Sequence, residues 1–498
     1  MIAFLLVSLG IILLVLGIGV RSIETLNGNY VFGFDQGADY LAARSIAVGH
    51  KLTLIGAEAG AGFAGLPGVF HGPGYRYIVS VLVLLFGGNP YGAIVFLFLL
   101  SLSVLVGLYL LGKKLFGASG SSLLIALAAI SPPLSAQARM IWAPNFSGIL
   151  VIPFLYMFWN VQKKEHWMLF LTALLAASLY NFELPMALPA MVGVVLYFFC
   201  VLRIRNIRDW LLVAVGFAVG FAPMLLFESR HGWGVFKGVL TYASRASGPA
   251  QKPFNLLLEI RGDWNALSTT VSESFLIPVV ALRNLMSMLL FAGALWYAAQ
   301  EKQGRVKQFV TGLLLLVLGH LAVYIPYRGP VYSHYFSLLY FAYPILASYV
   351  LLRMTERHGT KIVAVLFCIL VSLGAFLTFP KTIARDYADY GGTAKIRGKI
   401  DALDAIYKDA PDHEYGILVF TPPVYAYPYE YLVSWYGQKK YGYAPSFTRQ
   451  KVTYLLIEPD PEKPWSYNGW LETVIKTGKT EKRWTLPSGF IIEKRVNQ

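Results

Sequence analysis

Apolar runs long enough to cross a bilayer recur along most of the first 380 residues. A spanning helix needs about 20 apolar residues, at a rise of about 1.5 Å each. Eleven stretches come near that length: 2–20, 89–112, 121–136, 145–161, 166–181, 186–202, 209–227, 275–299, 308–326, 333–352 and 362–379. Only 14% of the residues are charged and 56% are hydrophobic, whereas a soluble protein carries about 25% charged residues. The pattern predicts an α-helical polytopic membrane protein with about eleven transmembrane helices.

The 42 Lys and Arg against 27 Asp and Glu give a net charge of +15. In a soluble protein this excess would suggest nucleic acid. Here the cations cluster between apolar runs, at Lys113-Lys114, Lys163-Lys164, Arg203/Arg205/Arg208, Lys302/Arg305/Lys307 and Arg353/Arg357/Lys361. These clusters follow alternate spans, as the positive-inside rule requires, so no nucleic-acid partner is expected. The N-terminus is then cytoplasmic and the C-terminus outside. Arg21 violates the rule locally and is partly balanced by Glu24. The segment 75–87 is apolar but short, and reads as a re-entrant or interfacial helix. The first apolar run has no basic residue before it and no clear cleavage site, so it reads as a retained helix. Two cysteines, Cys200 and Cys368, fall in or beside apolar runs and imply no disulfide framework.

This arrangement divides the chain into a membrane domain, 1–379, and a polar extracytoplasmic tail, 380–498. The membrane domain carries two large outer loops, 21–74 and 228–274. In the tail, Ile417–Phe420, Val452–Ile457 and Phe490–Ile492 read as strands. Helical patterns at about 393–408, 428–437 and 467–477 complete a small α/β domain.

The first outer loop holds the densest polar chemistry. Asp35 and Asp39 stand four residues apart in Phe34-Asp35-Gln36-Gly37-Ala38-Asp39-Tyr40. Asp35 can cap a helix that runs through Tyr40–Ala47 and stops near Gly49, with Asp39 one turn on. A carboxylate held ionised at a helix N-terminus, facing outward, can act as a general base. A plain helix cap with a solvated acid fits the same spacing. Residues 60–74 are rich in Gly and Pro, which suits either a backbone close to a ligand or a connector. Within that stretch, His71 is placed to bind phosphate or to hold the loop. Arg44, Lys51, Arg76, Arg139, Arg328 and His334 complete a set of outer cations. Each suits either an anionic headgroup or snorkelling to the interface. Glu183, a third outer acid, would join the acidic site or cap the following helix. Two carboxylates and water could hold Mg²⁺ or Mn²⁺, but no motif demands a metal or another cofactor. Walker, dinucleotide and serine-nucleophile motifs do not occur.

An ordered series of degenerate motifs carries a family resemblance. It runs Asp35-Gln36, Gly49, Gly72-Pro73, Phe86-Gly87-Gly88-Asn89-Pro90, Lys113-Lys114-Leu115-Phe116-Gly117 and Ser131-Pro132-Pro133, with His334-Tyr335 before a late span. In this order the chain resembles the C-type (GT-C) membrane glycosyltransferases, in particular protein O-mannosyltransferases and the lipid A aminoarabinose transferase. The match is best over 21–160 and rests mainly on topology beyond that. The resemblance implies a polyprenyl-phosphate sugar donor and an acceptor hydroxyl reached from outside. It also implies inversion at the anomeric carbon, with Asp35 as the base and Asp39 as an auxiliary. That family often has Asp-Glu where this chain has Asp35-Gln36. The acceptor can be a protein, a lipid or a glycan. The competing expectations are a transporter or flippase of lipid-linked saccharides, and a scaffold that binds a partner through 380–498. Polar residues gathered on the outer side, rather than at the membrane midplane, favour the enzyme.

Overall fold

The computed structural model describes residues 2–58, 68–234, 236–237, 255–276, 280–327, 331–392, 394–410, 413–422 and 425–497. Helices dominate, and a four-stranded sheet lies near the C-terminus. Among the described residues, five helices are long and apolar enough to cross a bilayer: Tyr91–Ala129, Leu184–Val201, Gly304–Tyr324, Ser333–Thr355 and His358–Ala388. A sixth candidate, Ile207–Gly220 with Ala222–Arg230, is bent by 70°, where the sequence predicts one span over 209–227. The chain is a multi-pass membrane protein.

One expectation is refined and another needs correction. The spans expected at 89–112 and 121–136 fall in the 39-residue helical stretch Tyr91–Ala129, which is broken between them at Gly117 with φ 72°. A left-handed residue cannot continue an α-helix, and glycine adopts that geometry without a Cβ penalty. The chain doubles back there, so that a Cβ on Gly112 would lie 3.1 Å from Ser121 Cα. The second outer loop, expected over 228–274, contains a 19-residue helix at Leu256–Ser274, capped by the Asn255 side chain on Leu257 and Leu258 N–H. By contrast, the short apolar segment forms a 12-residue helix, Gly74–Leu85. At about 18 Å it is too short to span. Val79, Leu82 and Val83 face the core, while Val81, Leu84 and Leu85 are exposed.

Arg21 does not pair with Glu24. It is buried at the end of the first helix, Ile2–Arg21, and donates to Ser101 Oγ (2.9 Å), Gly17 O (2.9 Å), Ala128 O (3.0 Å) and Ala129 O. The last two are carbonyls at the end of Tyr91–Ala129, which lack partners within their own helix. Glu24 instead takes two bonds from Arg139, at 2.7 and 2.6 Å.

The C-terminal sheet has strand order β1-β2-β4-β3, with β1 Tyr415–Phe420, β2 Val452–Ile457, β3 Lys479–Thr485 and β4 Ile491–Val496. β1 and β2 run parallel, and β4 is antiparallel to both β2 and β3. β2 is buried on both faces. Tyr454 and Leu456 join the main core, while Leu455 and Ile457 pack with Ile475 in a second cluster. β3, Lys-Thr-Glu-Lys-Arg-Trp-Thr, gave no strand signal in the sequence. It is an exposed edge strand whose charges discourage pairing with another chain.

The sheet region is anchored to the helices by packing against the segment that follows the first helix. The helix Tyr427–Leu432 lies on Phe34–Ala47, and the contact closes at Gly37. A Cβ there would stand 2.3 Å from Pro428 N. Tyr431 and Tyr40 meet edge to face at 5.0 Å, and both contact Phe32. Tyr431 donates to Gly88 O, Trp435 to Gly87 O (2.9 Å) and Arg44 to Ser434 O (3.0 Å). Behind this helix, buried Glu458 accepts from Tyr429 Oη and Lys399 Nζ.

We expect Gly37→Val to destabilise the folded protein by about 1–3 kcal/mol, as overpacking of a close contact does. It should lower the thermal unfolding midpoint in detergent and expose the C-terminal region to protease. An unchanged midpoint and protease pattern would show that the backbones are not in contact.

Candidate active site

The helix that carries Asp35 begins two residues earlier than the sequence suggests. Gly33 is the N-cap residue, and Asp35 lies within the first turn. Gln36 takes over the capping: its Oε1 accepts from Gly33 N–H at 2.9 Å. The Nε2 of the same side chain donates to Ile141 O at 2.7 Å. A glutamate in this place would cap the helix but could not donate to Ile141 while ionised. The difference from the Asp-Glu pattern is therefore a structural clamp. It leaves Asp35 as the free acid of the pair.

Asp35 is exposed and forms no hydrogen bond or ion pair with the described residues. The protein around its carboxyl partly desolvates it and raises its pKa above the usual carboxylate value. Asp39, one turn on, is buried beside Arg76, with Nε to Oδ1 at 3.9 Å. Burial pushes the Asp39 pKa up to about 7. Arg76 pulls it down, and the negative charge of Asp35 raises it. Tyr75 and Arg76 come from the start of Gly74–Leu85. Tyr75 Oη and Arg76 Nε are buried without a hydrogen-bond partner among the described residues. Orphaned buried donors of this kind are uncommon and call for a water, an ion or a ligand.

His71 and Glu183 extend the cluster. Leu184 N–H donates to His71 Nδ1 at 3.0 Å, so the neutral ring carries its proton on Nε2. That nitrogen faces Glu183 Oε1 at 3.7 Å. Burial holds His71 down to about 4, with smaller contributions from His334 and Arg76. Burial also lifts Glu183 to about 8. At neutral pH His71 is therefore uncharged and Glu183 is mostly protonated. Glu183 occupies the N-cap position of Leu184–Leu196 but makes no capping bond.

His334 packs edge to face on Trp142, with centroids 4.7 Å apart. Both line an open cleft of about 330 Å³, whose polar groups also include Gln137, Asn145, Glu273 and Tyr340. Among the described residues, no Lys or Arg lines it. Trp142 follows Ile141, the residue held by Gln36.

The sequence-predicted residues thus fall into two groups. Asp35, Asp39, His71, Arg76, Glu183 and His334 converge, each within electrostatic reach or contact of the next. Arg44 is engaged with Ser434, and Arg139 with Glu24 and Asp386. Lys51 is exposed on the loop after the Asp35 helix. Arg328, and residues 60–67 of the glycine-rich stretch, lie outside the described residues. Sequence reasoning did not select Gln36, Gly37, Tyr75 or Trp142. A capping position at Gln36 and the Tyr75-Arg76 pair after a Gly-Pro turn were the available signals.

Of the two carboxylates that could hold Mg²⁺ or Mn²⁺, Asp39 lies 3.9 Å from Arg76 Nε and Asp35 is exposed. Among the described residues, no three His, Cys, Asp or Glu side chains gather as a metal site.

No protein-family model and no curated protein sequence matches this chain. Solved structures do. The apo form of ArnT, an aminoarabinose transferase from Cupriavidus metallidurans, superposes with a TM-score of 0.54 at 11% identity, over 99% of this chain and 97% of that one. The Archaeoglobus fulgidus oligosaccharyltransferase, in complex with Zn and sulfate, superposes with a TM-score of 0.52 at 12% identity, over 97% of this chain and 72% of that one. The chain shares the fold of these two proteins, the architecture that the order of the sequence motifs implies. At these identities the likeness establishes the architecture, and the chemistry has to be argued from the side chains.

The raised Glu183 pKa has a consequence for stability. The unfolded chain would ionise Glu183 near 4.5, whereas the folded chain keeps it protonated up to about 8. The folded state then binds the extra proton, so stability falls as pH rises from about 4.5 to about 8 and levels off above. Asp39 acts in the same direction up to about 7. We expect Glu183→Gln to flatten the decline of the unfolding midpoint between pH 5 and 8. An identical slope in both proteins would mean that Glu183 is ionised in the folded state.

Proposed function

We propose that this chain is an inverting membrane glycosyltransferase. It moves a sugar from a polyprenyl-phosphate donor to an acceptor hydroxyl on the extracytoplasmic face. The observation that carries this reading is the contrast between Asp35 and its neighbours. Asp35 is the exposed, unpaired carboxylate beside a buried polar cluster, on a fold shared with sugar transferases.

The reaction assigns each group a part. The acceptor hydroxyl gives its proton to an Asp35 carboxylate oxygen as its own oxygen attacks the anomeric carbon. The bond from that carbon to the donor phosphate oxygen breaks, and the electron pair leaves with the polyprenyl phosphate. A base with a modestly raised pKa accepts the proton more readily at neutral pH. Arg76 offers its guanidinium to the leaving phosphate, supported by the orphaned Tyr75 hydroxyl and the uncharged His71. Among the described residues the cleft is lined by no Lys or Arg, which suits the uncharged glycosyl group rather than the phosphate. Arg139 and Arg44 act as positioning residues, since both are engaged within the protein. The donor phosphate is itself the leaving group, so no nucleotide is needed.

The test is transfer from a radiolabelled polyprenyl-phosphate hexose by the full chain in nanodiscs. We expect Asp35→Asn to lower turnover by about 10²–10⁴-fold, the usual contribution of a general base, with donor binding retained. Arg76→Ala should instead weaken donor binding, while Arg139→Ala should mainly lower the unfolding midpoint. Full turnover by Asp35→Asn would remove Asp35 as the base. Donor flux across the bilayer without a new glycosidic bond would favour a flippase.

A further inference from the structure

Beside Asp35 stands a group of rings that the reaction above does not use. Phe34, its immediate neighbour, packs against Tyr425 at 5.7 Å and Tyr427 at 5.2 Å, in both cases tilted. Tyr425 and Tyr427 stack on each other at 5.3 Å, with planes within 9° of parallel. Stacking uses one face of each ring. Tyr425 remains 50% exposed, so its outer face is open. Neither tyrosine hydroxyl has a partner among the described residues.

The shelf is rigid for reasons already visible. Tyr427 and Pro428 are seated on the Gly37 backbone, and the next residue, Tyr429, is tied to buried Glu458. An aromatic face exposed in this way, with hydroxyls at its rim and joined through Phe34 to the first turn of the Asp35 helix, is complementary to a pyranose. The ring's C–H face is apolar and its edges carry hydroxyls, so it can cover an aromatic plane while presenting an edge to a base. A serine or threonine side chain has no ring face to cover such a shelf.

From this juxtaposition we propose that Phe34, Tyr425 and Tyr427 form an acceptor subsite for a pyranose ring. The hydroxyl that takes up the sugar then belongs to a saccharide. This rests on the reading of Asp35 as the base, and it gives the C-terminal region a direct part in choosing the acceptor. Tyr425 supplies the open face, Tyr427 stiffens it, and Phe34 joins it to the Asp35 helix.

Saturation-transfer NMR on the full chain in nanodiscs, with methyl glycopyranosides as probes, tests the subsite apart from catalysis. The expected result is transfer to the axial ring protons and binding about 10-fold weaker in Tyr425→Ala and Tyr425→Leu, consistent with loss of an aromatic contact. Tyr425→Trp should retain binding. In transfer assays the same two losses should appear in the KM for a pyranoside acceptor more than in kcat. Wild-type binding by Tyr425→Leu would identify an apolar lipid-facing anchor and overturn the proposal. So would pyranoside binding indifferent to Tyr425, or a serine peptide that binds with the same dependence on Tyr425. If Asp35→Asn keeps transfer activity, the base assignment fails, whereas the NMR result still judges the shelf by itself.

Discussion

The close approach of two backbones at Gly37 is the contact on which the rest of the site depends. The Asp35 helix has 14 residues and lies outside the spans. A helix of that length is marginal without tertiary contacts. It is held on one side by Gln36, which bonds Gly33 and Ile141 at once, and on another by the Tyr427–Leu432 helix seated on Gly37. With both contacts in place, Asp35 is exposed and unpaired among the described residues. The C-terminal sheet matters to the site because it presents that second helix at a fixed position, through Lys399, Glu458 and Tyr429.

Charge is distributed around Asp35 by burial more than by pairing. Glu183 and Asp39 are raised and His71 is lowered, and in each case desolvation is the largest cause. The cluster therefore carries less charge at neutral pH than its residue types suggest. Among the described residues Arg76 is its cation, paired with Asp39 but with a buried Nε that has no hydrogen-bond partner. An anion entering there would meet donors already oriented and already stripped of water, the condition under which hydrogen bonds to a leaving phosphate act most strongly.

Much of this was legible in the sequence, and the exceptions have physical causes. Apolar run length reveals helices, so most predicted spans correspond to helices. It also places a turn between 112 and 121, where the chain doubles back, but it does not single out Gly117 as the residue that makes the turn. Strands β1, β2 and β4 announce themselves through β-branched and aromatic residues. β3 does not, because an edge strand is selected to be charged. Asp35 and Asp39 were visible as rare acids, and helical spacing put them one turn apart. Which of them stays free was not visible, since that depends on Arg76 arriving from another helix. Likewise Arg139 and Arg76 look equivalent in sequence. Only tertiary structure gives Glu24 and Asp386 to the first and leaves the second incompletely bonded.

A structure of the chain with polyprenyl phosphate bound tests the central claim most directly. The account predicts the phosphate within about 3 Å of the Arg76 guanidinium, as charge-assisted hydrogen bonds require, on the same side of the helix as Asp35. A phosphate held instead by Arg44, Lys51 or the basic clusters between the spans, with Arg76 still facing only Asp39, would contradict it.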